Sequence, residues 1–324
     1  MDGLYALRYR RVVLAILLIV LPIFALILAG WLSGRTGVLG APAAREINRF
    51  VVWLALPALL FDIIAHVRWS EIWRPGFVAA TAAGMALIFA LTVLIRGCEP
   101  HHVADGAVDG LNAAYPNNGF MGFPIGLAVL GRESLPLITV SVLLTICLLF
   151  AIAIVIIEAS LHRGKGGRAI LAQVGGALVR NPLLVAPVLG AVTALSGVVI
   201  PQPVEAFLKL LGGATSPCAL VSIGLFLAHQ RGVGGRIDGR AVALLVGLKL
   251  VVQPAVTGVV AGPLLGLPHP VVVAAVLLAA LPTGTGPYMV AEYYGREGAT
   301  TSRVILISTI LSIVTIPLWL SLWL

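Results

Sequence analysis

Two long apolar stretches of the chain are interrupted by short polar segments that are rich in glycine and proline. The first interruption is residues 113–124 (AAYPNNGFMGFP) and the second is residues 281–288 (LPTGTGPY). Non-helical backbone in a bilayer leaves N–H and C=O groups unpaired unless it packs in protein or lines a wet cavity. Paired interruptions at corresponding places in two halves of a chain are typical of secondary transporters. Two proline kinks healed by neighbouring helices are the alternative.

The composition indicates an integral membrane protein. The chain is 60% hydrophobic and 10% charged, whereas a soluble domain carries about 25% charged residues. Uncharged runs such as 12–30 and 139–157 can cross about 30 Å of hydrocarbon. The net charge of +8 does not indicate nucleic acid, because basic loops are expected of a polytopic protein in a plasma or bacterial inner membrane. The cysteines lack metal-ligand spacing, so no metal and no cofactor is predicted.

The apolar runs predict an all-α membrane protein with ten spans. The spans lie at about residues 12–32, 47–67, 76–96, 104–130, 135–160, 182–200, 204–228, 240–261, 270–294 and 301–323. Spans 4 and 9 contain the interruptions. Lys and Arg residues near the span ends are concentrated on the side that holds residues 162–181, which predicts a cytoplasmic linker there and non-cytoplasmic termini.

The two halves of the chain indicate an internal repeat. Prolines in corresponding spans recur 160 to 166 positions apart, in the pairs Pro22 and Pro187, Pro57 and Pro217, and Pro116 and Pro282. Because five is odd, a five-span unit used twice enters the membrane from opposite faces, which predicts an inverted repeat. The first repeat is 1–161, the linker 162–181 and the second repeat 182–324.

Several segments resemble the auxin efflux carrier family. Residues 118–124 (NGFMGFP), followed by Gly131, are similar to the fourth helix of that family, and residues 281–294 (LPTGTGPYMVAEYY) resemble its ninth. Residues 56–61 (LPALLF) and 248–254 (LKLVVQP) are also similar. The resemblance covers nearly the whole chain.

The resemblance implies a scaffold of spans 1, 2, 6 and 7 and a transport domain of spans 3–5 and 8–10. It implies broken helices that cross near the membrane midplane beside the substrate, and an elevator-type movement. The implied function is secondary active or facilitative transport of small organic anions such as auxin or malonate, with no enzyme activity. Membrane lipid surrounds such a protein, and the architecture admits a homodimer through the scaffold.

The interruptions supply the predicted substrate site. Each leaves a helix N-terminus directed at the membrane centre, and the two approach from opposite sides. Free N–H groups and a partial positive charge at such ends bind anions without a cationic side chain. Amides and hydroxyls add hydrogen-bond partners, and glycine allows close approach of the backbone. The predicted substrate-binding residues are Asn112, Pro116, Asn117, Asn118, Gly119, Gly122, Pro282, Thr283, Gly284, Thr285, Gly286 and Pro287.

Lys249 is a second kind of candidate, because ionisable residues inside membrane spans are functional candidates by default. It lies in span 8, one turn before Gln253. Three functions are open for it: to attract the anion, to neutralise a carboxylate, or to take the place of a coupling sodium ion. A structural ion pair inside the transport domain is the alternative.

Four further ionisable residues are candidates. Asp62 and His66 lie four positions apart on one face of span 2, as a proton relay or as a polar pair at the domain boundary. Asp109 shares a face of span 4 with Asn112. Two roles are open for Asp109: to line a cytoplasmic entrance or to pair with an arginine there. Glu292 follows the second interruption by about two turns.

Other functional classes have weaker support. A membrane metalloprotease needs a His-Glu-x-x-His helix and a prenyl transferase needs Asp-rich magnesium sites, and neither motif occurs. A channel would also use interrupted helices, but it usually repeats one polar filter around an oligomer axis. An anion channel, or a proton- or sodium-coupled carrier of another solute, is the alternative function.

Overall fold

The computed structural model describes residue 18 and residues 21–40, 42–66, 73–98, 103–161, 181–229, 238–296 and 298–323. Most of these residues are helical, and none of them belongs to a named β-strand. The helices are α1 (Leu21–Arg35), α2 (Ala43–Ala65), α3 (Pro75–Arg96), α4 (Val103–Ala114), α5 (Asn118–Leu130), α6 (Arg132–Leu161), α7 (Pro182–Ser196), α8 (Gln202–His229), α9 (Gly239–Leu264), α10 (His269–Ala279), α11 (Gly286–Tyr293) and α12 (Gly298–Trp323).

Six of these helices, α2, α3, α6, α8, α9 and α12, are long and apolar enough to cross a membrane. The shorter apolar helices include α1, α5, α7 and α10. The predicted all-α membrane class is therefore confirmed, while the arrangement of ten spans in two inverted repeats stays a prediction. Apart from Asn181, the predicted linker 162–181 lies outside the described residues, as does the first part of predicted span 1.

The first group of packed helices comprises α1, α2, α7 and α8, and glycines bring α1 close to α8. A Cβ atom on Gly224 would lie 2.0 Å from the Ile27 carbonyl oxygen, and one on Gly30 would lie 2.2 Å from the Val221 carbonyl oxygen. Small residues allow such close approach of helix backbones, which drives packing where lipid is as apolar as the side chains. Helix α2 packs against both α7 and α8.

The second group comprises α3–α6 and α9–α12, and within it α4 and α10 are enclosed by protein. Every residue of α4 from Gly106 to Ala114 is buried, and so is every residue of α10 from Val272 to Ala279. A helix that is apolar and buried all round belongs to the interior of a bundle. The interruptions that follow α4 and α10 therefore begin inside protein, where non-helical backbone is tolerated at membrane depth.

Helix α9 bends into a π-helical turn at Leu248–Val252, just before Pro254. Proline lacks the N–H that would bond to the carbonyl of the residue four positions earlier, Leu250. The indole Nε1 of Trp319 on α12 donates to this carbonyl at 2.8 Å instead. The Leu250 carbonyl therefore receives its hydrogen bond from a neighbouring helix. This turn of α9 includes Lys249.

Candidate functional site

The two interruptions, residues 115–117 between α4 and α5 and residues 280–285 between α10 and α11, lie side by side. Pro116 and Thr283 form an antiparallel bridge. Its hydrogen bonds run from the Asn117 N–H to the Pro282 carbonyl (2.8 Å) and from the Gly284 N–H to the Tyr115 carbonyl (3.1 Å). Because the segments are antiparallel, α5 and α11 leave this contact in opposite directions, and both of their N-termini begin at it.

Two side chains of α9 cap the carboxyl ends of α4 and α10. Lys249 Nζ donates to the Ala279 carbonyl at 2.6 Å, and Gln253 Nε2 donates to the Ala114 carbonyl at 2.9 Å. Lys249 Nζ also donates to Gln253 Oε1 at 2.6 Å. The last carbonyls of a helix lack intrahelical partners and carry partial negative charge, so an ammonium group stabilises them. One turn of α9 therefore donates a hydrogen bond to a terminal carbonyl of each of these two helices.

The environment of Lys249 bears on its predicted roles. Its side chain is completely buried, and no carboxylate of the described residues lies within ion-pair distance of it. The alternative that Lys249 forms a structural ion pair therefore has no carboxylate partner among the described residues. A cation held by a carbonyl at a helix carboxyl end is the arrangement in which transporters bind a coupling sodium ion.

Asn112 and Thr283, two of the predicted substrate-binding residues, instead join the interruptions to the protein. Thr283 Oγ1 donates to the Asn112 carbonyl at 2.8 Å, and the Thr283 N–H donates to Ser308 Oγ at 3.1 Å. Asn112 Nδ2 donates to Thr301 Oγ1 at 2.9 Å. Both residues are completely buried. These contacts fix the second interruption against α4 and α12.

Asn118, at the start of α5, presents an unpaired acceptor. Its amide nitrogen donates to Ser141 Oγ at 2.6 Å and to Thr145 Oγ1 at 3.0 Å, both on α6. Its Oδ1 is buried and has no hydrogen-bond partner. An amide oxygen only accepts hydrogen bonds, so it suits a hydroxyl, a protonated carboxyl or an N–H group rather than a carboxylate oxygen.

The accessible part of the contact lies at the two helix starts. Gly119 is exposed and Thr285 is partly exposed, whereas Asn117 is buried. The Thr285 side chain makes no capping hydrogen bond to α11. The first N–H groups of a helix have no intrahelical acceptor and carry partial positive charge. The groups available to a carboxylate are therefore backbone N–H donors near Gly119 and Thr285, together with the Thr285 hydroxyl.

The glycines of the second interruption make room for Tyr115. A Cβ atom on Gly284 would lie 2.9 Å from the Tyr115 ring, and one on Gly286 would lie 2.6 Å from it. By contrast, a Cβ on Gly122 would meet no atom closer than 3.4 Å. Gly284 and Gly286 are thus required by packing within the contact. Pro287 lies in the first turn of α11, where its missing N–H breaks no helical bond.

Asp62 and His66 form a separate polar cluster at the carboxyl end of α2. His66 Nδ1 lies 3.2 Å from Asp62 Oδ1, and its Nε2 lies 4.0 Å from Glu205 Oε1 on α8. Glu205 also pairs with Lys209. The cluster joins α2 to α8, within the first group of helices.

The remaining acidic candidates lie away from the interruptions. Asp109 Oδ2 accepts from Arg96 Nε at 2.9 Å, which matches the arginine-pairing alternative. Glu292 lies near the end of α11, and its Oε1 packs so close to Gly298 that a Cβ atom there would be 2.5 Å away. Neither carboxylate contacts the bridge between Pro116 and Thr283 in the described structure.

Sequence reasoning did not single out the hydroxyl groups that hold the contact together. They are Ser141 and Thr145 on α6 and Thr301 and Ser308 on α12. A usable signal was present for the first pair, because positions four apart in an apolar helix share a face. Tyr115 was also missed as the ring on which the glycines pack.

Comparison with known proteins places the whole chain among membrane transporters. A family model described as "Membrane transport protein" matches residues 15–320, which include both interruptions. The chain is 32% identical over 307 residues to the "Putative malonate transporter" of Rhizobium meliloti (strain 1021), with 92% of each chain covered. It is 28% identical to the "Uncharacterized transporter YfdV" of Escherichia coli (strain K12), covering 93% of this chain and 95% of that one. It is 22% identical to "Auxin efflux carrier component 8" of Arabidopsis thaliana, covering 91% and 93%.

Proposed function

Because the chain belongs to the family described as Membrane transport protein, we propose that it transports small organic anions, carboxylates of the malonate or auxin kind. The proposed transport is secondary active or facilitative. The antiparallel contact between the two interruptions carries the proposal. It brings the N-termini of α5 and α11 together without a cationic side chain, which is a recurrent way of binding an anion. The relatives named as malonate transporter and auxin efflux carrier support the same substrate class.

The chemistry of the contact suggests how such a substrate binds. One carboxylate accepts hydrogen bonds from the backbone N–H groups near Gly119 and Thr285. The unpaired Oδ1 of Asn118 accepts from a donor elsewhere on the substrate, such as a protonated second carboxyl or a ring N–H. A monocarboxylate without any donor then binds more weakly than one that carries a donor, because Oδ1 stays unsatisfied.

We extend the proposal to an elevator mechanism on two inverted five-helix repeats. Helices α1, α2, α7 and α8 form the scaffold, and the helices around α4 and α10 form the transport domain. The contact between the domains includes Asn48 on α2, whose Nδ2 donates to the Met289 carbonyl on α11 at 3.3 Å. It also includes the rings of Trp53 and Tyr293, whose centroids are 6.2 Å apart. Another is the contact between the rings of Phe226 on α8 and Tyr288 on α11, whose centroids are 5.7 Å apart. Such contacts must be exchanged when the transport domain slides.

Lys249 bears on the coupling ion. A fixed ammonium group on the Ala279 carbonyl occupies a helix carboxyl end, where sodium-coupled carriers bind their ion. Transport then does not require sodium. We also keep the proposals that both termini are non-cytoplasmic and that two copies pair through the scaffold.

Purified protein in liposomes tests the function. Malonate, indole-3-acetate and matched neutral amides are offered as substrates, with empty liposomes as the control. Saturable uptake that accelerates when unlabelled malonate or indole-3-acetate is loaded on the far side supports a carrier. Conductance that rises linearly with voltage and shows no exchange supports a channel. Uptake of neither carboxylate above the level of empty liposomes contradicts the proposed substrate class.

A further inference from the structure

A groove of about 470 Å³ runs along the outer surface of the protein between α9 and α12. Its lining comes from the Gly239–Val251 part of α9 and the Arg303–Thr315 part of α12. Apart from Arg303 and Thr315 the lining side chains are apolar or absent. The groove is separate from the contact between the two interruptions.

The single charge in the lining, Arg303, has no ion-pair partner in the part of the chain that the structure describes. Arg303 is partly exposed and makes no ion pair or hydrogen bond with any described residue. Asp238 immediately precedes Gly239 of the lining. Its carboxylate pairs with Arg96 at 3.6 Å and accepts a hydrogen bond from the Arg240 N–H. An unpaired arginine at one end of an apolar groove is complementary to a ligand with an anionic head and an apolar tail.

The dimensions match one membrane leaflet. Arg303 and Thr315 are twelve positions apart on α12, which is about 18 Å at 1.5 Å per residue. Half of the hydrocarbon core is about 15 Å thick. A lipid whose phosphate lies at Arg303 therefore places its acyl chain along the groove as far as the bilayer centre. In the predicted orientation this is the cytoplasmic leaflet.

The space in the groove is open at a glycine. A Cβ atom on Gly247, on the α9 wall, would meet no atom within 4 Å. The missing side chain thus leaves volume that no other part of the described protein fills. An acyl chain fills such volume without displacing protein.

From these observations we propose that this groove is a binding site for one anionic phospholipid, with its phosphate on Arg303 and one acyl chain along α9 past Gly247. A second groove, of about 400 Å³ between α3 and α6, provides an internal contrast, because its lining is entirely apolar. It lacks a group that distinguishes anionic from neutral headgroups. We expect lipids in this second groove to exchange without headgroup preference.

Counting the lipids that purified protein retains tests the site. Wild-type protein is equilibrated with equal amounts of dioleoyl phosphatidylglycerol and dioleoyl phosphatidylcholine, and the retained lipids are counted by native mass spectrometry. Wild-type protein should retain one phosphatidylglycerol in preference to phosphatidylcholine. Arg303→Gln should lower this preference about fivefold, the usual effect of one basic residue at a lipid headgroup. Gly247→Phe, which fills the groove, should remove the retained lipid itself.

Three matched controls accompany these variants. Gly213→Phe adds the same ring at a different helical glycine, which is exposed and has no atom near its Cβ position. Ala86→Phe fills the second, entirely apolar groove. Arg240→Gln removes an arginine next to Gly239 of the lining. All three should leave the phosphatidylglycerol preference unchanged. An unchanged preference in Arg303→Gln, or the same retained lipid in Gly247→Phe, overturns the proposal. Displacement of the lipid by glycerol phosphate shows a phosphate site without a tail groove, and also overturns it.

Discussion

The side-chain nitrogen (Nζ) of Lys249 lies 2.6 Å from the carbonyl oxygen of Ala279, the last residue of α10. Four residues further along α9, Gln253 caps Ala114, the last residue of α4. A single turn of α9 thus controls the two helix ends that precede the interruptions. A change at Lys249 therefore acts on the position of the interruptions as well as on the charge beside them.

Replacement of Lys249 should abolish transport through loss of charge. Lys249→Met removes the amine from the Ala279 carbonyl, whereas Gln253→Met keeps that amine but removes the cap of Ala114 and one acceptor of Lys249. Each change leaves buried acceptors or donors unpaired, at about 1–3 kcal/mol each. We expect uptake in liposomes to be lost in Lys249→Met and reduced in Gln253→Met, with both proteins monodisperse. Full activity of Lys249→Met would exclude an electrostatic role.

On the proposal that Lys249 takes the place of a coupling cation, wild-type uptake should be the same in sodium and in choline buffers. The measurement is initial uptake of radiolabelled substrate into liposomes at equal ionic strength and equal pH. A loss of uptake in choline would show that sodium binds elsewhere and that Lys249 does not replace it.

Asn118→Ala should weaken substrate binding by about 1–3 kcal/mol, the cost of losing a hydrogen bond at a buried site. The same change also removes the hydrogen bonds that the hydroxyl groups of Ser141 and Thr145 accept from the Asn118 amide. Ser141→Ala is the matched control, because it removes one anchor and keeps the Asn118 oxygen. Isothermal titration with the transported acid should show the larger loss for Asn118→Ala. Equal affinities in wild type and Asn118→Ala would place the substrate elsewhere.

Gly286→Ala should destabilise the protein by about 1–3 kcal/mol, the usual cost of overpacking. The added methyl would lie 2.6 Å from the Tyr115 ring. Gly247→Ala is the control, since open space surrounds its Cβ position. Thermal unfolding in detergent should show a lower midpoint only for Gly286→Ala. Gly286→Ala should cost less in a Tyr115→Ala background than in wild type, and an equal cost in both would mean that the clash is not with this ring.

A reversible cross-link between α2 and α11 should stop an elevator movement. Cysteines replace Trp53 and Tyr293, whose rings are 6.2 Å apart, in a protein without Cys98, Cys147 and Cys218. A short bis-methanethiosulfonate should inhibit uptake, and dithiothreitol should restore it, while each single-cysteine variant should keep its activity. Full transport by cross-linked protein would contradict the sliding of one helix group along the other.

A cysteine in the linker tests the orientation. Gly166→Cys in the cysteine-free protein should resist an impermeant maleimide in intact cells and react after lysis, because positively charged linkers are retained in the cytoplasm. Labelling of intact cells at the lysed-cell rate would reverse the predicted orientation.

The sequence predicts the helical membrane class because hydrophobicity and charge act along the chain. An uncharged run of some twenty residues has few stable states in lipid other than a helix. For the same reason the segments at 113–124 and 281–288 can be recognised as departures from the helix without knowledge of their neighbours. The structure narrows the non-helical backbone to 115–117 and 280–285, because residues 118–124 and 286–288 are helical. Asp109 is similar, since pairing with an arginine is what a buried carboxylate requires, although its partner Arg96 is not identifiable from spacing.

The sequence alone determined the class of this protein, the places where its helices stop and the residue types available there. The packing of the helices was needed to show that Lys249 caps Ala279 and that the Thr283 hydroxyl donates to the Asn112 carbonyl. It was also needed to show that the Asn118 amide nitrogen donates to α6, while its oxygen has no partner in the described structure. The physical reason is that a hydrogen bond depends on distance and direction. These are fixed by how helices far apart in sequence pack together, and no local pattern of residues records that packing.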